Sequence, residues 1–218
     1  MAKEYAILEN MSTWKHYFAR KDGWHEAWRT LGVPEPPALY TQLLAAWSEP
    51  QRHYHTLQHL AECLALADSL RDEMTHPAEV VLALWFHDAV YDVRAHDNEA
   101  RSAQWATQVL NAAGVAPDAC ARIDALIMAT CHGAAASPGT PDSTLLVDID
   151  LAILGSEEPR FAEYEAQIRA EYAWVPPSVF AIKRREVLRG FLDRPRIYTT
   201  DTLYARFEAQ ARRNLASA

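Results

Sequence analysis

The stretch 78–91 reads AEVVLALWFHDAVY, and apart from Glu79 its only strongly polar side chains are His87 and Asp88. A helix this apolar is expected to be buried over most of its circumference. An unpaired carboxylate there would cost several kcal/mol or neutralise itself, so something must pair with it. Adjacent residues on a helix point about 100° apart, which suits two ligands gripping one ion from a single turn. The stretch 145–154, LLVDIDLAIL, repeats the situation with Asp148 and Asp150. These two lie about 200° apart on a helix, so one is expected at the same site and the other in a hydrogen-bonding or capping role. Upstream, 52–59 reads RHYHTLQH, with His55 and His59 spaced to share one helical face. A divalent cation with mixed nitrogen and oxygen ligands is the simplest agent that satisfies all three elements.

Four further residues are candidates by position. Asp92 follows Asp88 by four residues and would lie one turn on, where it could orient a water. Asn98 and Glu99 open a helical stretch and could reach substrate or brace a ligand, although acids also simply suit the positive end of a helix. His132 closes the apolar run ALIMATCH and could bind a second metal or a phosphate oxygen, or serve structure alone.

The elements that must position these residues are helices. Only 7 glycines occur, and no run alternates apolar and polar residues over strand length. Helical periodicity places helices at roughly 24–31, 36–48, 56–73, 77–91, 97–113, 117–131, 143–154, 157–173, 177–193 and 201–215. His76-Pro77 puts a proline in a first turn, Asp97 can cap the helix that follows it, and Gly114 can end that helix. The stretch 133–142, GAAASPGTPD, reads as a loop. The expected fold is all-α: a single domain over 1–218, with a metal-binding core at about 40–155 and a C-terminal helical extension at about 156–218.

Composition narrows the function. Apolar residues make up 50% and charged residues 23%, as in ordinary globular chains, and the net charge is −8. So acidic a chain is a poor partner for a nucleic acid duplex, which needs clustered Lys and Arg. A small anionic substrate stays compatible, because a metal supplies positive charge locally. The C-terminal third concentrates Lys183, Arg184, Arg185, Arg189, Arg194 and Arg196, read as a solvated helix face from which one or two side chains could reach a phosphate. Cys63, Cys120 and Cys131 share no CxxC spacing and read as reduced, mostly buried thiols. No leader-like segment and no uninterrupted run of 18 apolar residues is present, so the expectation is a cytoplasmic protein with no membrane partner. The oligomeric state stays open between a monomer and a homodimer.

The order H…HD…D, carried by His59, then His87-Asp88, then Asp150, resembles the HD superfamily of metal-dependent phosphohydrolases. The intervals are 28 residues from His59 to His87 and 62 from Asp88 to Asp150. YHTLQH resembles the YHNxxH-type opening of several branches, including cyclic-nucleotide phosphodiesterases, with Thr56 standing where that word has Asn. WFHDAVYD, DNEARSA and DIDLAILG are similar to a bacterial branch of HD phosphohydrolases, and the likeness runs from about 40 to 215. It implies metal ligands at His59, His87, Asp88 and Asp150, with Asp148 as the rival for the last place. It also implies that His55 protonates the leaving oxygen and that Asp92, matching the second acid of an HDxxED word, or Glu99 holds the attacking water. The cation would be Mn²⁺, Fe²⁺, Co²⁺, Mg²⁺ or Zn²⁺, and the substrate a nucleotide or other small phosphate ester. Two alternatives share the scaffold. One is a non-catalytic sensor of metal or nucleotide. The other is a di-iron oxygenase, whose extra histidines would have to be His96 and His132.

Overall fold

Proline and threonine set where the helices begin. Residues 21–131 and 139–217 are described in the computed structural model. They form α1 (Asp22–Thr30), α2 (Leu39–Ala46), α3 (Leu57–Ser69), α4 (Pro77–Phe86), α5 (Asn98–Ala113), α6 (Pro117–Met128), α7 (Pro141–Asp150), α8 (Glu158–Glu171), α9 (Pro177–Leu192) and α10 (Asp201–Ser217). Short 3-10 turns follow α3 at Arg71–Glu73 and α7 at Leu151–Gly155, and no strand occurs among the described residues. The protein is all-α.

Five of the helices, α4, α6, α7, α8 and α9, carry proline in their first turn, where the missing N–H would have had no partner. The Thr56 hydroxyl accepts the Gln58 N–H at 3.3 Å to start α3, and Thr140 does the same for Ser143 at 3.1 Å to start α7. Gly114 ends α5 in the left-handed region at φ 81°, a conformation natural to glycine. Asp97 holds the N-cap position of α5, but its side chain accepts no capping bond.

Helix α4 is the axis of the fold. Every residue from Ala78 to Phe86 except Val81 is buried, and α1, α3, α5, α6 and α7 all pack against it. Val80, Leu82, Leu84 and Phe86 are completely buried, each contributing about 1.5–3 kcal/mol by leaving water. The two buried charged groups at its start are matched. Glu79 accepts two bonds from the Arg122 guanidinium, and Asp142 on α7 accepts the N–H groups of Thr75 and His76 just before the helix.

One apolar core runs from Trp24 to Leu215 and takes in Phe161, Tyr164, Ile168, Leu188, Tyr198 and Leu203. The last third is therefore built into the same interior as the first two. One close approach is at Gly155, where a Cβ would stand 2.6 Å from Phe207 Cβ and 2.8 Å from its carbonyl oxygen. Only glycine lets α10 sit this near the 3-10 turn.

The expected helix at 77–91 is shorter than its apolar pattern suggests. It ends at Phe86, His87 is its C-cap, and Asp88 lies in the turn beyond. At the stop the His87 ring takes the Leu84 carbonyl that the next helical bond would use, and the Arg52 guanidinium holds the carbonyls of Asp88 at 2.7 Å and Ala89 at 3.0 Å in the turn beyond. A cation across the C-terminal end of a helix also suits the helix dipole. The expected helix at 56–73 likewise breaks at Leu70 into α3 and a 3-10 turn.

Candidate metal centre

Four side chains from three parts of the chain converge beside α4. His59 comes from the first turn of α3, His87 and Asp88 from the end of α4, and Asp150 from the last residue of α7. His59 Nε2 lies 3.1 Å from Asp150 Oδ1, 3.3 Å from His87 Nε2 and 4.0 Å from Asp88 Oδ2. His87 Nε2 lies 3.2 Å from Asp88 Oδ2 and 3.5 Å from Asp150 Oδ1. Ligand atoms about 2.1 Å from one cation stand about 3.0 Å apart at right angles and about 3.4 Å apart at the tetrahedral angle. Four of the five spacings, 3.1–3.5 Å, lie close to those values, and His59, His87 and Asp88 form a group that could hold a metal ion, with Asp150 beside His59 in a second such group.

The histidines are oriented from behind. His87 Nδ1 lies 2.8 Å from the Leu84 carbonyl oxygen, which can only accept, so Nδ1 carries the proton and Nε2 faces the cluster. His59 Nδ1 lies 3.0 Å from the Tyr54 hydroxyl, again turning Nε2 inward. Burial acts to lower the His87 pKa, but the Asp88 and Asp150 carboxylates outweigh it and hold it well above the ordinary imidazole value. Burial acts to raise the Asp88 pKa, and His87 reverses this and holds it well below the carboxylate range. So strong a mutual field is what a cation would relieve.

The cluster has a closed side and an open side. The side chains of His59 and His87 are 3% and 1% exposed, whereas those of Asp88, Asp150 and His55 are 15%, 13% and 18% exposed. His55 Nε2 lies 4.0 Å from Asp88 Oδ2, and its ring stacks on Tyr91 with centroids 4.1 Å apart.

Asp148 faces elsewhere. It is 1% exposed and accepts the Thr199 N–H at 3.0 Å, with the Thr200 N–H and hydroxyl at 2.7 Å each. Of the two acids left open by their 200° separation, Asp150 joins the histidines and Asp148 anchors the segment before α10.

Three other candidates stand apart from the cluster. Because α4 stops at Phe86, the one-turn relation between Asp88 and Asp92 does not hold. Asp92 is exposed, its carboxylate accepts the Arg94 N–H at 2.9 Å, and it borders a surface depression with Glu49, Arg101 and Trp105. Asn98 braces that loop, accepting the Asp92 N–H at 3.0 Å and donating to the Asp92 carbonyl at 2.9 Å. Glu99 is half-buried in the first turn of α5, and no hydrogen bond joins it to the cluster among the described residues. His96 is exposed. His132 lies outside the described residues.

Glu171, Arg52 and Cys63 were missed by sequence reasoning. Glu171 is buried at the end of α8 and completes the apolar stripe of Phe161, Tyr164 and Ile168, so an acid on a greasy face was its signal. Its Oε1 accepts the N–H groups of His53, Tyr54 and His55 at 2.8–3.0 Å. Its Oε2 accepts the Tyr91 hydroxyl at 2.9 Å and lies 2.8 Å from His55 Nδ1. Burial acts to raise its pKa, but the bond from His55 leads the effects that hold it down at about 2. Arg52 sits inside the very word RHYHTLQH that carries the histidines, and Cys63 follows His59 by one helical turn.

The basic C-terminal residues mostly pair locally. Lys183 meets Glu186, Arg184 meets Glu165, Arg189 meets Asp193, and Arg196 meets Asp201.

Fold and site together define an all-α protein with a buried His/Asp cluster able to hold a metal ion. Comparison with family models, curated proteins and solved structures finds no match to this chain. No helix among the described residues is long and apolar enough to cross a membrane.

Proposed function

We propose that this protein is a metal-dependent phosphohydrolase acting on a nucleotide or other small phosphate ester. The observation that carries the reading is the convergence of His59, His87, Asp88 and Asp150, within 3.1–4.0 Å for the measured pairs, with His55 at its open side. These four residues would hold the cation. When bound, it would polarise a water molecule and neutralise charge on the phosphoryl oxygens.

The chain's own groups supply the rest. Asp88 and Asp150 expose part of their carboxylates on the open side, so a substrate enters past them and past His55. With Nδ1 given to Glu171, His55 turns Nε2 toward that opening, where it can hand a proton to a leaving oxygen. Burial acts to lower its pKa, but the bond to Glu171 and the Asp88 charge outweigh it, favouring the protonated ring that an acid requires. Anionic substrates suit the site only once a cation offsets its two carboxylates, which agrees with a chain of net charge −8.

Phosphate release from a nucleotide panel with added Mn²⁺, comparing wild type with Asp88→Ala, tests the reading. Release by wild type that the variant loses supports it, and equal rates in the two proteins refute it.

A further inference from the structure

Cys63 stands one turn after His59 on α3, on the same face, and is 3% exposed. A buried cysteine is usually a small apolar filler, and Cys120 behaves as one, its thiol donating only a weak bond to the Val115 carbonyl oxygen at 3.6 Å. Cys63 is placed differently. Its Sγ lies 3.6 Å from His59 Nδ1 and 3.8 Å from His59 Nε2, the nitrogen that faces Asp150 and His87. One ligand atom from each of His59, Cys63 and Asp150 falls within 4.8 Å of the others. A zinc-bound imidazole nitrogen at about 2.1 Å and a thiolate at about 2.3 Å stand about 3.6 Å apart at the tetrahedral angle. Sγ lies about as near Nδ1 as Nε2, beside the ring, so a turn of the Cys63 side chain, with α3 in place, is what brings sulfur onto an ion held at Nε2.

We propose that Cys63 gives the cluster a thiolate arm, so that His59, Cys63 and Asp150 together capture thiophilic divalent cations such as Zn²⁺, Cd²⁺ and Co²⁺. The inference rests on reading the cluster as a metal site and adds a second ligand set to it. As sulfur bonds the ion, the thiol proton passes to solvent, so one proton is released from Cys63 for each ion bound. His59 and Asp150 belong to both sets. Hard ions such as Mg²⁺ and Mn²⁺ are held by nitrogen and oxygen alone, whereas soft ions are drawn toward sulfur. The chain thereby discriminates among metals by which side of His59 they occupy.

The test is optical titration of the chelator-stripped full chain with Co²⁺, with Cys120→Ser and Cys131→Ser as controls. Wild type and both controls are expected to show visible ligand-field bands together with a near-ultraviolet thiolate-to-cobalt charge-transfer band. Cys63→Ser is expected to keep the visible bands, lose the near-ultraviolet band and lower the ratio of Cd²⁺ to Mn²⁺ affinity by about tenfold or more. Visible bands without the charge-transfer band in wild type overturn the thiolate arm and leave the metal reading standing. No cobalt bands in any of the proteins overturn both. Should Cys63→Ser fail to fold, X-ray absorption of the zinc-loaded Cys120→Ser/Cys131→Ser protein decides: one sulfur neighbour per zinc supports the arm, and none overturns it.

Discussion

Glu171 stands 2.8 Å behind His55 although 116 residues separate them in the chain, and the same carboxylate clamps the three backbone amides that lead to that histidine. One acid thus fixes both the position and the protonation of the side chain at the open edge of the cluster. Under the proposed function, Glu171→Gln is expected to lower kcat by about 10–100-fold with little change in KM. Glu171 raises the His55 pKa, so its loss should move the alkaline limb of the kcat profile to lower pH. Steady-state kinetics across pH checks both, and an unmoved limb would count against Glu171 as a positioning residue.

Glu171 also predicts acid sensitivity. Its folded pKa, about 2, lies below the ordinary value of 4.5, so its stabilising contribution is complete above about pH 4.5 and drains away as pH falls toward 2. The difference corresponds to about 3 kcal/mol. Urea denaturation of wild type and Glu171→Gln should show a stability gap at pH 6 that narrows steadily between pH 4.5 and 2.

Arg52 should not tolerate its nearest chemical relative. Its side chain is fully buried and reaches the carbonyls of His55, Asp88 and Ala89, which a single ammonium cannot serve together. Arg52→Lys is expected to lower stability by about 2–4 kcal/mol, measured by chemical denaturation. Metal affinity should fall with it, because the same guanidinium fixes the turn that presents Asp88.

The two acids of α7 should separate in experiment. Asp150→Asn is expected to weaken Mn²⁺ binding by about tenfold or more with a small effect on folding. Asp148→Asn is expected to lower stability by about 1–3 kcal/mol and leave Mn²⁺ binding near wild type, because it holds Thr199 and Thr200 rather than the cluster. Calorimetric metal titration and thermal melts of both variants check this split.

Much of the architecture was legible because helix pattern is a local property: the apolar runs around His87 and Asp150 each demanded a partner for their acids. What misled was action at a distance. The apolar run at 77–91 looks helical to its end, yet the helix stops at Phe86, where the His87 ring takes the Leu84 carbonyl and Arg52, 36 residues upstream of Asp88, holds the turn beyond. Asp92 was misplaced for that reason. The choice between Asp148 and Asp150 depended on where the 199–200 segment folds back, which periodicity does not encode. Glu171 and Cys63 did leave local traces, an acid on an apolar stripe and a cysteine one turn from a histidine, and both were passed over as ordinary helix content.

The clamp on residues 53–55 has a consequence for synthesis at the ribosome. Those amides have no carboxylate to bind until α8 has emerged, and His59 meets Asp150 only after α7 has been made. The front half of the chain therefore leaves the exit tunnel with His55 lacking Glu171 and His59 lacking Asp150, and the centre ripens only when the second half arrives and docks.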